Sequence, residues 1–402
     1  MGSSKTILVL DAVALLLMGT WAGCGSPTAW EQGDSGATFL ASSSSSGASS
    51  GSGGTETFCA RTDCSGVCVD TETDATNCGS CGRDCRGSPC TKSQCEPVAL
   101  VSEPGHLTTL ALGAVNVYWG HTEDDALMKV PIEGGPPSSV AAGAPDPLNY
   151  IAETTLGATS IFWIRRQRML DGESSILKAP LQGGSPQTLL STDEYRPWAL
   201  SVDATHVYWA GTLAGERTLM KAPIGGGDPI PLAATPTISL SRTVAGATGV
   251  YWVAYQDGTY RVMKIPPEGG SPTVVSVEDR PGFVRDFAVG PTHVAWVHNS
   301  TGVDVVGTVM KAPIEGGAPI LLASGQYRPN SITMDATHVY WTNERWKLGE
   351  IMKVPLEGGE PITLASFQNR PNNVAVNATH VYWCNHYYYD ESGTDTIMKV
   401  AK

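Results

Sequence analysis

The chain has 402 residues, 16% of them charged, with 26 Lys and Arg against 39 Asp and Glu for a formal net charge of -13. An acidic, base-poor chain has no electrostatic footprint for a phosphate backbone, which excludes nucleic acid as a partner. Its 45 Gly and 27 Pro suit many short strands joined by turns better than helices.

Residues 1–23 read as an export signal. Lys5 supplies a positive start, and an apolar stretch from Ile7 to Met18, interrupted by Asp11, is too short to span a membrane. Trp21-Ala22-Gly23-Cys24 resembles a bacterial lipobox, which implies diacylation of Cys24 and membrane attachment through a lipid anchor. Trp21 departs from that pattern, where Leu or another aliphatic residue is usual, so ordinary cleavage near Ala22 is the alternative. Residues 24–57, with five consecutive serines from Ser42 to Ser46, bury nothing and are expected to act as a disordered tether with a reach of about 30 Å.

Eight cysteines follow in one cluster: Cys59, Cys64, Cys68, Cys78, Cys81, Cys85, Cys90 and Cys95. An even cluster in an exported chain reads as four disulfides whose pairing the sequence leaves open. A module of residues 58–96 is too small to fold on its apolar core alone. The run Asn77-Cys78-Gly79-Ser80-Cys81-Gly82-Arg83-Asp84-Cys85 resembles the cysteine-rich module of stigma-specific plant proteins and of secreted myxobacterial proteins. The resemblance implies a spacer or adhesion element. Cys78 and Cys81 have no second Cys-x-x-Cys pair or His nearby, so a zinc site is the weaker reading.

From residue 97 to 402 a repeat takes over. Trp119, Trp163, Trp209, Trp252, Trp296, Trp341 and Trp383 each close a β-branched, aromatic run, at intervals of 44, 46, 43, 44, 45 and 42 residues. That period, with four strand-like segments and a Gly-rich hairpin per unit, predicts an all-β, seven-bladed β-propeller. The seventh unit stops at a third strand, Ile397 to Val400, while Pro97 to Val101 matches the fourth strand of the other units. Pairing of these N- and C-terminal segments is expected to close the ring and remove its exposed edges. The string Val339-Tyr340-Trp341-Thr342-Asn343 and its downstream Met352-Lys353 and Glu357-Gly358-Gly359 resemble the YWTD repeats of lipoprotein-receptor propellers. They are closer still to repeats of bacterial secreted lipoproteins of myxobacterial type. The aspartate of YWTD is absent from every blade and the receptor propellers have six blades, so receptor ligand contacts do not carry over.

Candidate sites lie on the loop face. Strand D-to-A loops carry Arg196, Arg280, Arg328 and Arg370, each before Pro. These could clamp an anion at the channel mouth or bind their own loop carbonyls. The B-to-C loops of blades six and seven carry Arg345-Trp346 and Tyr387-Tyr388-Tyr389, aromatics suited to a protein or glycan ligand or to packing on the rim. His206, His293, His338 and His380 recur at one strand entry and read as turn residues rather than metal ligands. The Met-Lys pairs of strand C read as core Met and solvent Lys. Cys384 reads as a buried thiol, and Glu153 and Asp286 as isolated acids. No catalytic residue, metal or cofactor is assigned. The expectation is a monomeric cell-envelope lipoprotein, anchored in the outer membrane or else secreted, whose propeller recognises a protein or glycan. The alternatives are a hydrolase or lyase acting in the channel and an envelope assembly scaffold.

Overall fold

The structure, a computed structural model, describes residues 62–402 except 105–106, 122–124, 143–148, 168–172, 193–195, 235–241, 302–305 and 388–393. All of these belong to one compact unit, Phe58–Lys402. Cys24 and Cys59 lie outside the described residues, as do the signal and tether segments. No helix among the described residues is long and apolar enough to cross a membrane.

Seven four-stranded antiparallel sheets form the blades. Their innermost strands, A, are Leu107–Leu112, Asn149–Leu156, Trp198–Val202, Thr243–Gly246, Phe283–Val289, Pro329–Met334 and Pro371–Val376. Strand B carries the repeated Trp, and each of the seven is at most 2% exposed. Six of them lie opposite a strand C Met, as Trp209 does Met220 and Trp341 does Met352, while Trp163 faces Leu177. Residues on both faces of strand B are buried, Tyr340 alongside Trp341, because each sheet stacks between two neighbours. Hence the segment reads as a continuous apolar run rather than an alternating one. Truncating one such Trp costs about 3–5 kcal/mol. The hairpin from strand C to strand D turns on paired glycines, as at Gly358 and Gly359, whose φ of 96° and 137° glycine adopts at little steric cost.

The ring closes across the termini. In blade seven Pro371–Val376, His380–Asn385 and Thr394–Ala401 are joined by Val98–Pro104 as the outermost strand. Ile397 pairs with Val101 and Met398 with Ala99, and Val101 and Ile397 are buried with Trp119 of blade one.

The strand C lysines correct a sequence expectation. They do not coat the surface: Lys221 and Lys311 are buried, and each reaches the C-to-D hairpin of the next blade. Lys129 Nζ donates to the carbonyls of Leu181 and Gln182 (3.1 and 3.0 Å), Lys178 to Ile224 (2.7 Å), Lys221 to Pro267 (2.6 Å), Lys311 to Leu356 (2.5 Å) and Lys399 to Ile132 (2.8 Å). Lys264 pairs with Glu315 at 3.7 Å. The aliphatic stem crosses the interblade surface and the ammonium caps the turn beyond it.

The joint between blades six and seven differs, because blade seven takes its fourth strand from before blade one. Here the cysteine module docks. Its short hairpins, Thr62–Cys64 with Val67–Val69 and Cys90–Thr91 with Gln94–Cys95, are stapled by Cys64–Cys81, Cys78–Cys90 and Cys85–Cys95. Cys68 is disulfide-bonded as well. Cys78, Cys85, Cys90 and Cys95 share one buried cluster with Ile351, Leu364, Trp383 and Val400 of the propeller. Burial, and after it the neighbouring Arg83 guanidinium, pull the Lys353 ammonium below its usual range. The module thus covers the joint between blades six and seven. These disulfides mark an extracytoplasmic protein.

Candidate functional site

Ten residues before each blade's Trp stand Thr109, Glu153, Ala199, Arg242, Asp286, Ser331 and Asn373. Each sits on or at the start of a strand A, and together they surround the central channel. A hydrogen bond joins every neighbouring pair of blades around this circle. Thr154 Oγ1 donates to Thr109 Oγ1 (3.1 Å), and Glu153 accepts from the backbone N–H groups of Leu200 and Ala199. The Ala199 carbonyl accepts from Thr243, and Arg242 Nη1 reaches Asp286 Oδ2 at 3.4 Å. Asp286 Oδ2 also accepts from Ser331 Oγ (3.3 Å) and Ile332 N (3.1 Å). Ser331 Oγ in turn accepts from Val374 N (3.2 Å), and Asn373 Nδ2 donates to the Thr108 carbonyl (3.3 Å).

Inside this girdle is a cavity of about 340 Å³, lined among others by Glu153, Arg242, Arg285, Asp286, Asn330 and Asn372. A second cavity of about 200 Å³ shares Arg285, Asn330 and Asn372 and adds Glu344, Arg370 and His386 from the loop face. The two adjoin. Glu153 is deep in the protein mass, and burial raises its carboxyl to about 7 against the opposing pull of the Leu200 N–H and the Arg242 guanidinium. Glu153 and Asp286, isolated in sequence, therefore face one cavity. The signal was present in the register: acids and a base stand where the inner strand of other blades carries Thr, Ala, Ser or Asn.

At the channel mouth His386 Nδ1 hydrogen-bonds to Asp395 Oδ2 at 2.9 Å, and Asp395, 1% exposed, also accepts from Tyr387 N and Leu107 N. Burial alone would raise the Asp395 carboxyl, but these donors outweigh it and hold it low. The loops around blades six and seven interlock: Arg370 N donates to the Arg345 carbonyl, Lys347 N to Asn369 Oδ1 and His386 N to the Asn369 carbonyl. On this scaffold Trp346 is 56% exposed and Phe367 77% exposed. Lys347 Nζ lies 5.0 Å from the centre of the Trp346 ring, and Arg345 4.8 Å from that of Tyr327. Phe367 has φ of +58°, whereas the matching position of blade five is Gly325 at +69°. Leu348 extends the exposed apolar surface. Tyr387 is half-buried, and Tyr388 and Tyr389 lie outside the described residues.

The four loop arginines are placed differently. Of them, Arg370 lines the mouth cavity. Arg280 is turned onto its own surroundings, with Nη1 donating to Thr308 Oγ1 and Met310 Sδ and Nε 3.8 Å from Glu278. Arg196 and Arg328 are exposed. Each recurring His has its Nδ1 2.8–2.9 Å from the preceding Thr hydroxyl. In blades three and six an Asp side chain caps the same turn and accepts from the buried Tyr hydroxyl. Cys384 is a free, buried thiol, pushed up first by burial and then by Asp395. The sulfurs of Cys78, Cys85 and Cys95 lie within 4.8 Å of one another, but disulfides occupy all three.

No protein-family model matches the sequence, and no curated protein matches it. Solved structures do. A chain of the nidogen–laminin complex is similar at 16% identity and a TM-score of 0.47, over 63% of this chain and 93% of that one. TolB from Acinetobacter baumannii is similar at 12% identity and 0.45, over 70% and 61%. A puromycin-hydrolyzing peptidase of Mycobacterium tuberculosis is similar at 13% identity and 0.50, over 73% of this chain and 51% of the peptidase. What this chain shares with that peptidase is the β-propeller fold.

Proposed function

We propose that this protein is a cell-envelope recognition module that binds a protein partner, without catalysis, at the loop corner of blades six and seven. The observation that carries the reading is Phe367, a large aromatic held 77% exposed in a left-handed backbone conformation. That conformation costs a residue with a Cβ about 1–2 kcal/mol, and such strain gathers at functional positions. The neighbouring loop of the same blade adds exposed Trp346 and Arg345, two of the side-chain types enriched in protein-binding hot spots. Leu348 favours a protein over a glycan, because an aliphatic side chain has neither a ring face to stack on a sugar nor a polar group for its hydroxyls. In this reading Cys24 carries the lipid anchor and residues 24–57 the tether, while residues 58–96 pack on the propeller of residues 97–402. The test is crosslinking capture from envelope extract with the full chain and with Trp346→Ala/Phe367→Gly. One partner held by the wild type and lost by the folded double variant supports the reading, and equal capture by both defeats it.

A second reading, hydrolysis in the channel, draws on Glu153, raised to about 7, and Asp286 lining one cavity. It expects turnover of a chromogenic ester or glycoside that Glu153→Gln abolishes.

A further inference from the structure

We propose that the exposed corner of blade six takes an acidic peptide segment, whose carboxylates meet Arg328 and Arg345 while an aromatic or aliphatic side chain beside them packs on Trp346 and Leu348. The inference rests on the reading of this corner as a protein-binding surface and names the chemistry of its partner.

Three loops are tied into one surface. Glu344 N donates to the Arg328 carbonyl (3.0 Å), Arg370 N to the Arg345 carbonyl (3.1 Å) and Lys347 N to Asn369 Oδ1 (3.1 Å). Gly349 pairs with Gln368, which sets Leu348 and Phe367 at one end of the same strand pair. These backbone bonds fix the loops before a partner arrives, so the ordering cost of binding falls on a few side chains. Arg345 lies 4.8 Å from the centre of the Tyr327 ring, a contact that steadies a guanidinium without spending its N–H groups. Arg328 and Arg345 are both exposed, and among the described residues neither meets a carboxylate.

The charge of this surface is opposite to that of the chain. Segments 326–330, 344–350 and 366–371 hold four bases, Arg328, Arg345, Lys347 and Arg370, against two acids, Glu344 and Glu350, whereas the whole chain has 26 bases against 39 acids. Arg370 and Glu344 line the mouth cavity, and Glu350, half-buried, accepts from Asn343 Nδ2 (3.1 Å). Arg328, Arg345 and Lys347 are the exposed charges, with Trp346 and Leu348 exposed among them. Exposed bases on an acidic protein select a partner of negative charge and steer its approach. The interleaved apolar groups require an apolar group of that partner as well, which a peptide supplies and an inorganic anion does not. An anionic membrane fits less well, because it meets the whole loop face and the net charge of -13 opposes it.

The experiment is selection of a random dodecapeptide library on phage against the full chain, followed by fluorescence anisotropy of the selected peptides. Selected peptides are expected to carry at least two more acidic than basic residues around an aromatic or aliphatic side chain. Arg328→Glu and Arg345→Glu each weaken their binding about tenfold, as does raising the salt from about 50 to about 500 mM. Lys92→Glu, the same charge change on the exposed surface of the cysteine module, leaves it unchanged. Melting curves check that the variants are folded, and if one arginine variant is not, the other decides. Neutral or basic peptides that Trp346→Ala/Phe367→Gly releases overturn the acidic partner and leave recognition at this corner standing. Failure to select any peptide, or peptides held equally by that double variant, overturns both. Acidic peptides bound with full affinity by a folded Arg328→Glu or Arg345→Glu protein overturn the proposal, as does tighter Arg345-dependent binding to phosphatidylglycerol vesicles than to the peptides.

Discussion

In the Phe367→Gly variant, recognition is expected to be lost while stability stays nearly unchanged. Phe367 sits at φ +58°, where a Cβ costs about 1–2 kcal/mol that glycine does not incur. Glycine gives back about 0.5–1 kcal/mol through its larger unfolded entropy. The ring is 77% exposed, so its removal forfeits roughly a quarter of a Phe burial, about 0.5 kcal/mol. The balance lies between about 0.5 kcal/mol of destabilisation and about 1 kcal/mol of stabilisation, a melting temperature within about 2 °C of the wild type. Loss of a hot-spot aromatic at the same time removes about 2 kcal/mol of binding, close to thirtyfold. Thermal and denaturant melts give the first quantity, and titration of the captured partner gives the second. A melting temperature lowered by more than about 3 °C would show that Phe367 serves the fold, and unchanged partner affinity would remove it from the recognition surface.

Other perturbations test the girdle and the joints between blades. Because Glu153 is raised from 4.5 to about 7, the folded state binds more protons than the unfolded between those values, and stability falls as pH rises through that window. Glu153→Gln is expected to stabilise at pH 8 by about 1–3 kcal/mol more than at pH 5 in paired denaturant melts, and an equal effect at both would contradict the raised carboxyl. Gln326→Leu leaves Asn343 Nδ2 and the buried Trp341 indole N–H short of a shared acceptor, at a cost of about 1–3 kcal/mol, which urea unfolding measures. Lys311→Met removes the ammonium cap on Leu356 and is expected to cost about 1.5–3 kcal/mol by the same assay. Cys384 is expected to resist thiol reagents in the native protein and react after denaturation, the difference being absent in Cys384→Ala.

The architecture was legible because it is written seven times. Trp spacing, the Gly-Gly hairpins and the match of Pro97 to Val101 with a fourth strand carried blade number and ring closure, since each rests on local patterning repeated in sequence. Lys311 was misread because strand alternation tells which face a side chain leaves from, not that a neighbouring blade's hairpin waits above it. Glu153, Arg242 and Asp286 went unconnected because they are 133 residues apart at the extremes and each blade contributes a different residue to the girdle. Reading the register ten residues before each Trp would have aligned them. Phe367 escaped for a further reason: its significance is a backbone angle, and only comparison with Gly325 makes the substitution visible. The disulfide pairing and the docking of the module on Trp383 and Val400 depend on tertiary contacts that no local pattern encodes.

The most direct test of the recognition surface is crosslinking capture by the full chain in envelope extract, wild type against Trp346→Ala/Phe367→Gly, with melting curves for both proteins. The expected result is a discrete partner bound by the wild type and reduced at least thirtyfold in a double variant that still melts cooperatively. The same partner held equally by both proteins would contradict recognition at this corner.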